Sequence, residues 1–182
     1  MKNNVFYVLR LALILLAITG CVALALAGVN AVTKDRIAAA QKEKTEKAIV
    51  QVLEGTPEQL TLTGDTGIVR SAYKSQFGYA VEVAPNGFDG EILMMVGVDL
   101  EGKVTGISII SQTETAGLGA EAAANNAKGQ AFREQFVGLT AGQAKMSKDG
   151  GTLDALTGAT ISSRAVAAGV EAAIQFVQKE VA

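Results

Sequence analysis

Leu11 to Val29 (LALILLAITGCVALALAGV) runs for 19 residues without a charge. Coiled as a helix at ~1.5 Å per residue it would be ~28 Å long, close to the hydrocarbon thickness of a bilayer. No soluble fold of ordinary size gives such a segment an easy place, so it constrains the chain more than any other feature. Two processing signals compete with a retained span. Ile18-Thr19-Gly20-Cys21 looks like a lipoprotein box that would acylate Cys21, although eight further uncharged residues follow it. Ala25-Leu26-Ala27 has the form of a signal-peptidase site. We expect a retained, single membrane-spanning anchor within residues 1–30, surrounded by lipid.

Charge near the span gives an orientation of its own. Lys2 and Arg10 precede it, whereas Lys34, Arg36, Lys42, Lys44 and Lys47 follow. Counted this way, the positive-inside rule leaves the C-terminal part in the cytoplasm, yet long domains translocate largely regardless of charge. Beyond the span, Thr33–Leu53 reads as a helical stalk with opposite charges at Lys42–Glu46 and Glu43–Lys47. Its apolar face is thin (Ile37, Ala40, Ala48, Ile49, Val52, Leu53), and Gly55-Thr56-Pro57 ends it. The polar, turn-rich stretch that follows completes a stalk and linker over residues 31–66.

From residue 67 to 182 the texture is that of an α+β domain, a small antiparallel sheet packed with helices. Ile68–Tyr73, Gly78–Ala84, Glu91–Val98 and Lys103–Ile110 read as strands, with turns at Pro85-Asn86-Gly87 and Leu100-Glu101-Gly102. The last three pair as a meander whose expected core is Val96, Val98, Val104, Ile107 and Ile109, with Phe77 and Tyr79 beside it. Glu121–Lys128 and Gln130–Phe136 read as short helical pieces. A final helix, Ser162–Val181, carries a stripe of Val166, Val170, Ile174, Val177 and Val181 that faces the sheet.

Composition removes several chemistries. There is no His and a single Cys, so a His-based triad, a His-ligated metal site and a Cys-ligated iron–sulfur cluster cannot be built from this chain alone. A net charge of −2 provides no footprint for nucleic acid. No catalytic residue and no metal ligand is expected, and electron transfer here would require a cofactor.

Two small-residue segments offer a place for one. Asp154-Ala155-Leu156-Thr157-Gly158-Ala159-Thr160-Ile161-Ser162-Ser163 is a turn running into the last helix. Gly158 and Ala159 allow close approach to the backbone, and the hydroxyls of Thr157 and Thr160 flank them. The unpaired N–H groups at the helix start favour an anion such as phosphate, though the same residues also suit a plain N-cap. Ser111-Gln112-Thr113-Glu114-Thr115-Ala116-Gly117-Leu118-Gly119 is a strand entering a Gly-x-Gly turn, able to expose backbone N–H groups and admit a flat ring.

Both segments resemble motifs of the FMN-binding domain family. That family is found in the G subunit of the Rnf ferredoxin:NAD oxidoreductase complex and in the C subunit of the sodium-translocating NADH:quinone reductase. The first segment is similar to the flavin-attachment motif, the second to Glu-Thr-Pro-Gly-Leu-Gly, with Ala116 where Pro is usual. The resemblance implies FMN joined through its phosphate to Thr160, with Thr157, Gly158 and Ala159 lining the phosphate, Asp154 as the acidic residue upstream, and Leu156 also among the cofactor-binding residues. It implies Glu114, Thr115, Gly117, Leu118 and Gly119 beside the isoalloxazine. Lys128 or Arg133 is a further candidate for stabilising a reduced, anionic flavin. The implied activity is electron transfer within an ion-pumping complex of the Rnf type in the bacterial cytoplasmic membrane. The implied partners are other membrane and iron–sulfur subunits and a flavin transferase, with the flavin domain on the outer face. TISSRAV and the short chain favour Rnf over the quinone reductase; a non-redox assembly module with an unused capping turn is the alternative from another class.

Overall fold

The computed structural model describes residues 2–62 and 66–181. The part of the expected linker at 63–65 lies outside the described residues. The chain divides into two compact units, residues 1–43 and residues 44–182. Helix α1, Lys2–Val52, belongs to both. Within the first unit its large apolar side chains from Phe6 to Ile37 are exposed, as an anchor's would be. Among the described residues α1 is the one helix long and apolar enough to cross a membrane.

The second unit is built on a five-stranded antiparallel sheet in simple order: β1 Glu58–Gln59, β2 Val69–Ser75, β3 Gly78–Val83, β4 Leu93–Asp99 and β5 Val104–Ser111. Both faces of the two middle strands are covered. Tyr79, Val81, Val83, Met94, Val96, Val98, Val104 and Ile107 form the larger core with α2 (Ala127–Glu134) and α3 (Thr160–Val181). On the opposite face Ala80, Met95 and Ile110 pack against Ala48, Ile49, Val52 and Leu53 at the end of α1. Polar contacts fix that end: Thr105 Oγ1 donates to the Val52 carbonyl (2.7 Å), and Ser75 Oγ to that of Glu54 (2.8 Å). Gly97 gives the closest approach, because a side chain there would collide with the Val52 carbonyl and the Thr105 hydroxyl.

Several expectations change in detail. The short strand β1 arises inside the stretch read as turn, pairing Glu58 with Lys74 and Gln59 with Tyr73. Phe77 is half exposed and not in the core, because it sits in the tight β2–β3 turn, where its N–H donates to Ser75 Oγ. Ile109 is only partly buried against the larger core. The helical pieces divide elsewhere: a 3-10 turn covers Gly119–Ala123, and α2 begins after Asn126. The Asn126 side chain accepts the Gly129 N–H (2.8 Å), a helix start that the expected break near Gly129 overlooked. Along α3, Val166, Val170, Ile174 and Val177 are buried as the stripe requires, while Val181 is exposed at the end.

Candidate functional site

Helix α3 starts at Thr160, two residues before the expected Ser162. The reason is a turn over Leu156-Thr157-Gly158-Ala159, closed by Ala159 N–H donating to the Leu156 carbonyl (2.9 Å). Gly158 occupies its second central position at φ 76°, the left-handed conformation that a type II turn demands. Ala159 then caps the helix, its carbonyl accepting the Ser163 N–H (3.0 Å). Ser163 is fully buried and binds turn to helix: its Oγ accepts the Leu156 N–H (3.0 Å) and donates to the Ala159 carbonyl (2.9 Å). The opening N–H groups of α3 have no partner within the helix and carry its positive dipole end.

A second turn of the same kind forms the facing wall. Leu118 N–H donates to the Thr115 carbonyl (3.1 Å), with Gly117 at φ 75°. Glu114, just before it, is buried and saturated by its own chain. Oε1 accepts the N–H groups of Phe88 (2.9 Å) and Asp89 (3.0 Å), and Oε2 accepts the Ser162 hydroxyl. Gly87 and Gly119 flank the carboxylate so closely that a side chain at either would strike it. Glu114 thus joins three segments, the β3–β4 loop, the end of β5 and the first turn of α3.

Between these walls lies a cleft of about 410 Å³, a volume suited to a small cofactor. Of the residues expected from sequence, Glu114, Thr115, Leu118, Gly119, Gly158, Ala159 and Thr160 line it. Asp154, Leu156, Thr157 and Gly117 do not. Leu156 is buried in the core, Thr157 is exposed on the turn, and the backbone of Asp154 is held by the Gln135 side chain. Phe88, Lys148, Ile161 and Ser162 complete the lining and were missed by sequence reasoning. Ile161 and Ser162 stood within the quoted motif, but Phe88 and Lys148 come from loops that carry no signal of their own.

The basic residues are also redistributed. Arg133 is half-buried and donates to the carbonyls of Ala122 (2.6 Å) and Ala124 (3.1 Å), so it fastens the 3-10 turn and not the cleft. Burial holds its guanidinium below the ordinary arginine value. Lys128 is likewise absent from the lining. The cation of the cleft is Lys148, on a 3-10 turn over Ser147–Asp149. Asp149 accepts two hydrogen bonds from Arg164, at 2.7 and 2.6 Å, and this contact draws its carboxyl below the usual carboxylate range.

The donor set fits a flavin mononucleotide. Helix N–H groups, the Thr160 hydroxyl and one ammonium suit a phosphate; Phe88, Leu118 and Ile161, all substantially exposed, suit a flat apolar ring. Gly158 is a cradle that a side chain would fill, since a Cβ there would lie 2.9 Å from the Leu118 side chain.

Residues 87–175, which contain every residue lining the cleft, match the FMN-binding domain model. Residues 1–52, which include the whole of α1, match the RnfG N-terminal region. The G subunit of an ion-translocating oxidoreductase complex from Shewanella amazonensis is 31% identical over 84% of this chain and 80% of its own length. The chain belongs to the FMN-binding domain family, in the branch of the Rnf G subunits. A second relative in this branch, from Vibrio parahaemolyticus, is 30% identical over 94% of the chain and 88% of its own length. The G subunit of the Na(+)-translocating ferredoxin:NAD(+) oxidoreductase complex of Acetobacterium woodii is 37% identical, but the match spans about half of that relative (49%). The FMN-binding domain match thus covers the whole cleft, and the RnfG N-terminal match covers the helix long and apolar enough to cross a membrane.

Proposed function

We propose that this chain is the electron-carrying G subunit of a membrane ion-translocating ferredoxin:NAD oxidoreductase complex, holding FMN through a phosphoester to Thr160. The observation that carries the reading is convergence: Thr160 begins α3 in the same cleft as Glu114–Gly119, although the two segments are far apart in the chain. The match of α1 to the RnfG N-terminal region favours this complex over the quinone reductase.

Bound FMN would supply the electron acceptance and donation; the chain's residues position it. Thr160 Oγ would hold the FMN phosphate as a phosphoester, the bond being made by a separate flavin transferase. The helix N–H groups would stabilise the phosphoester's remaining negative charge, and Gly158 would leave room for it. Phe88, Leu118 and Ile161 would border the ring and leave an edge of it for electron exchange with partner subunits, among them iron–sulfur and membrane subunits. We place the domain on the outer face of the bacterial cytoplasmic membrane, against the Lys and Arg count. Protease added to right-side-out spheroplasts should then digest it; digestion only in inverted vesicles would reverse the orientation.

Attachment is tested by in-gel flavin fluorescence and intact mass. Thr160→Ala should lose the flavin, whereas Thr157→Ala, altered outside the cleft, should keep most of it. Normal fluorescence in Thr160→Ala would overturn the linkage. A wild-type protein without flavin would favour a non-redox assembly module.

A further inference from the structure

We propose that Lys148 is the cation that meets the phosphate of the bound flavin nucleotide, at the Thr160 end of the cleft. The inference rests on the flavin reading above. Lys148 is the one basic residue among those lining the cleft, and it is exposed. Its position is set by its neighbour: the Asp149 carboxylate accepts from both Nε and Nη2 of the Arg164 guanidinium. Arg164 follows Thr160 by four residues, so the two share one face of α3. The grip therefore lays the Ser147–Asp149 turn along the face that carries Thr160.

The same turn is fastened from behind. Ser147 N–H donates to the Leu153 carbonyl (2.7 Å), Gly151 N–H to that of Met146 (3.0 Å). Lys148 consequently projects from a fixed backbone. The carboxylate of the cleft, Glu114, is already satisfied by Phe88, Asp89 and Ser162, so it does not compete for the ammonium. Positive charge is gathered at the α3 end, while Phe88 and Leu118 make the other wall apolar. A flavin nucleotide has the same polarity, and a lysine ammonium is a compact partner for a phosphate.

The full-length protein in detergent, prepared without flavin, is titrated with FMN and with riboflavin at low and high salt. Lys148→Gln is expected to weaken FMN binding roughly tenfold, to leave riboflavin within about twofold, and to flatten the salt dependence. Lys148→Arg retains the charge and should keep most of the preference for FMN. Phe88→Ala should weaken both flavins alike. Equal losses of FMN and riboflavin in Lys148→Gln would put Lys148 at the ring and overturn the proposal. Unchanged FMN binding, or a shifted reduction potential with the FMN preference intact, would overturn it as well. Each of these outcomes leaves the flavin reading standing. A wild-type chain that takes up neither flavin removes that reading and this inference together.

Discussion

Ser162 Oγ donates a hydrogen bond to Glu114 Oε2, joining residues 48 positions apart. This contact sets the first turn of α3 against the Gly117 turn and so fixes the width of the cleft. The carboxylate was expected beside the ring; although it borders the cleft, its hydrogen bonds go to its own chain. It serves the site chiefly by holding Phe88 and Ser162 in place.

Glu114→Ala should therefore act on stability as well as on flavin. Losing the acceptor strands two backbone N–H groups and one hydroxyl, a cost of about 2 kcal/mol. Glu114→Gln keeps an acceptor and the volume, and should cost distinctly less. Thermal unfolding of the detergent-solubilised protein measures both; equal melting temperatures for Glu114→Ala and wild type would contradict the role.

Gly97→Ala tests the docking of the end of α1 on the sheet. The added methyl group meets the Val52 carbonyl and the Thr105 hydroxyl, and overpacking of this kind costs about 1–3 kcal/mol. Limited proteolysis should become faster near residues 44–58. An unchanged cleavage pattern would mean that the helix end adapts without loss.

Ala116 stands at the first central position of the Thr115–Leu118 turn, where proline's fixed φ is favoured. Ala116→Pro should stabilise the domain by about 0.5 kcal/mol, through the unfolded chain, and leave flavin content unchanged. A fall in stability would show that the turn does not accept the ring.

Glu82 provides a pH dependence. It shares the face of β3 that meets the end of α1, and burial raises its carboxyl above the ordinary value despite opposing contributions from Thr45 and Arg70. The folded protein thus binds the proton more tightly than the unfolded chain. Stability from this group is fully present below the unfolded value and is lost as pH rises through the folded one. Glu82→Gln should be more stable than wild type near neutral pH and lack this fall. A melting profile with the same slope in both proteins would rule out Glu82 as the source.

Local sequence settled whatever depends on neighbouring residues. An uncharged run made α1 legible as a helix long and apolar enough to span, β-rich runs between turn residues marked β3 to β5, and the α3 stripe named its buried face. Gly158 and Gly117 could be read as turn residues because left-handed φ favours glycine. What the sequence could not supply was distance between segments. Thr157 and Thr160 are equivalent as hydroxyls on paper, yet only Thr160 enters the cleft, because the turn closed by Ala159 sends Thr157 outward. Lys128 and Arg133 were the basic residues named from sequence; the fold spends Arg133's donors on two carbonyls and brings Lys148, beside the Asp149 held by Arg164, to the cleft instead. Phe88 reaches the site only because Glu114 accepts its N–H across 26 positions. Turn and helix propensities act over a few residues, whereas the cleft is assembled by hydrogen bonds and packing between distant ones, and these exist only once the sheet has brought the segments together.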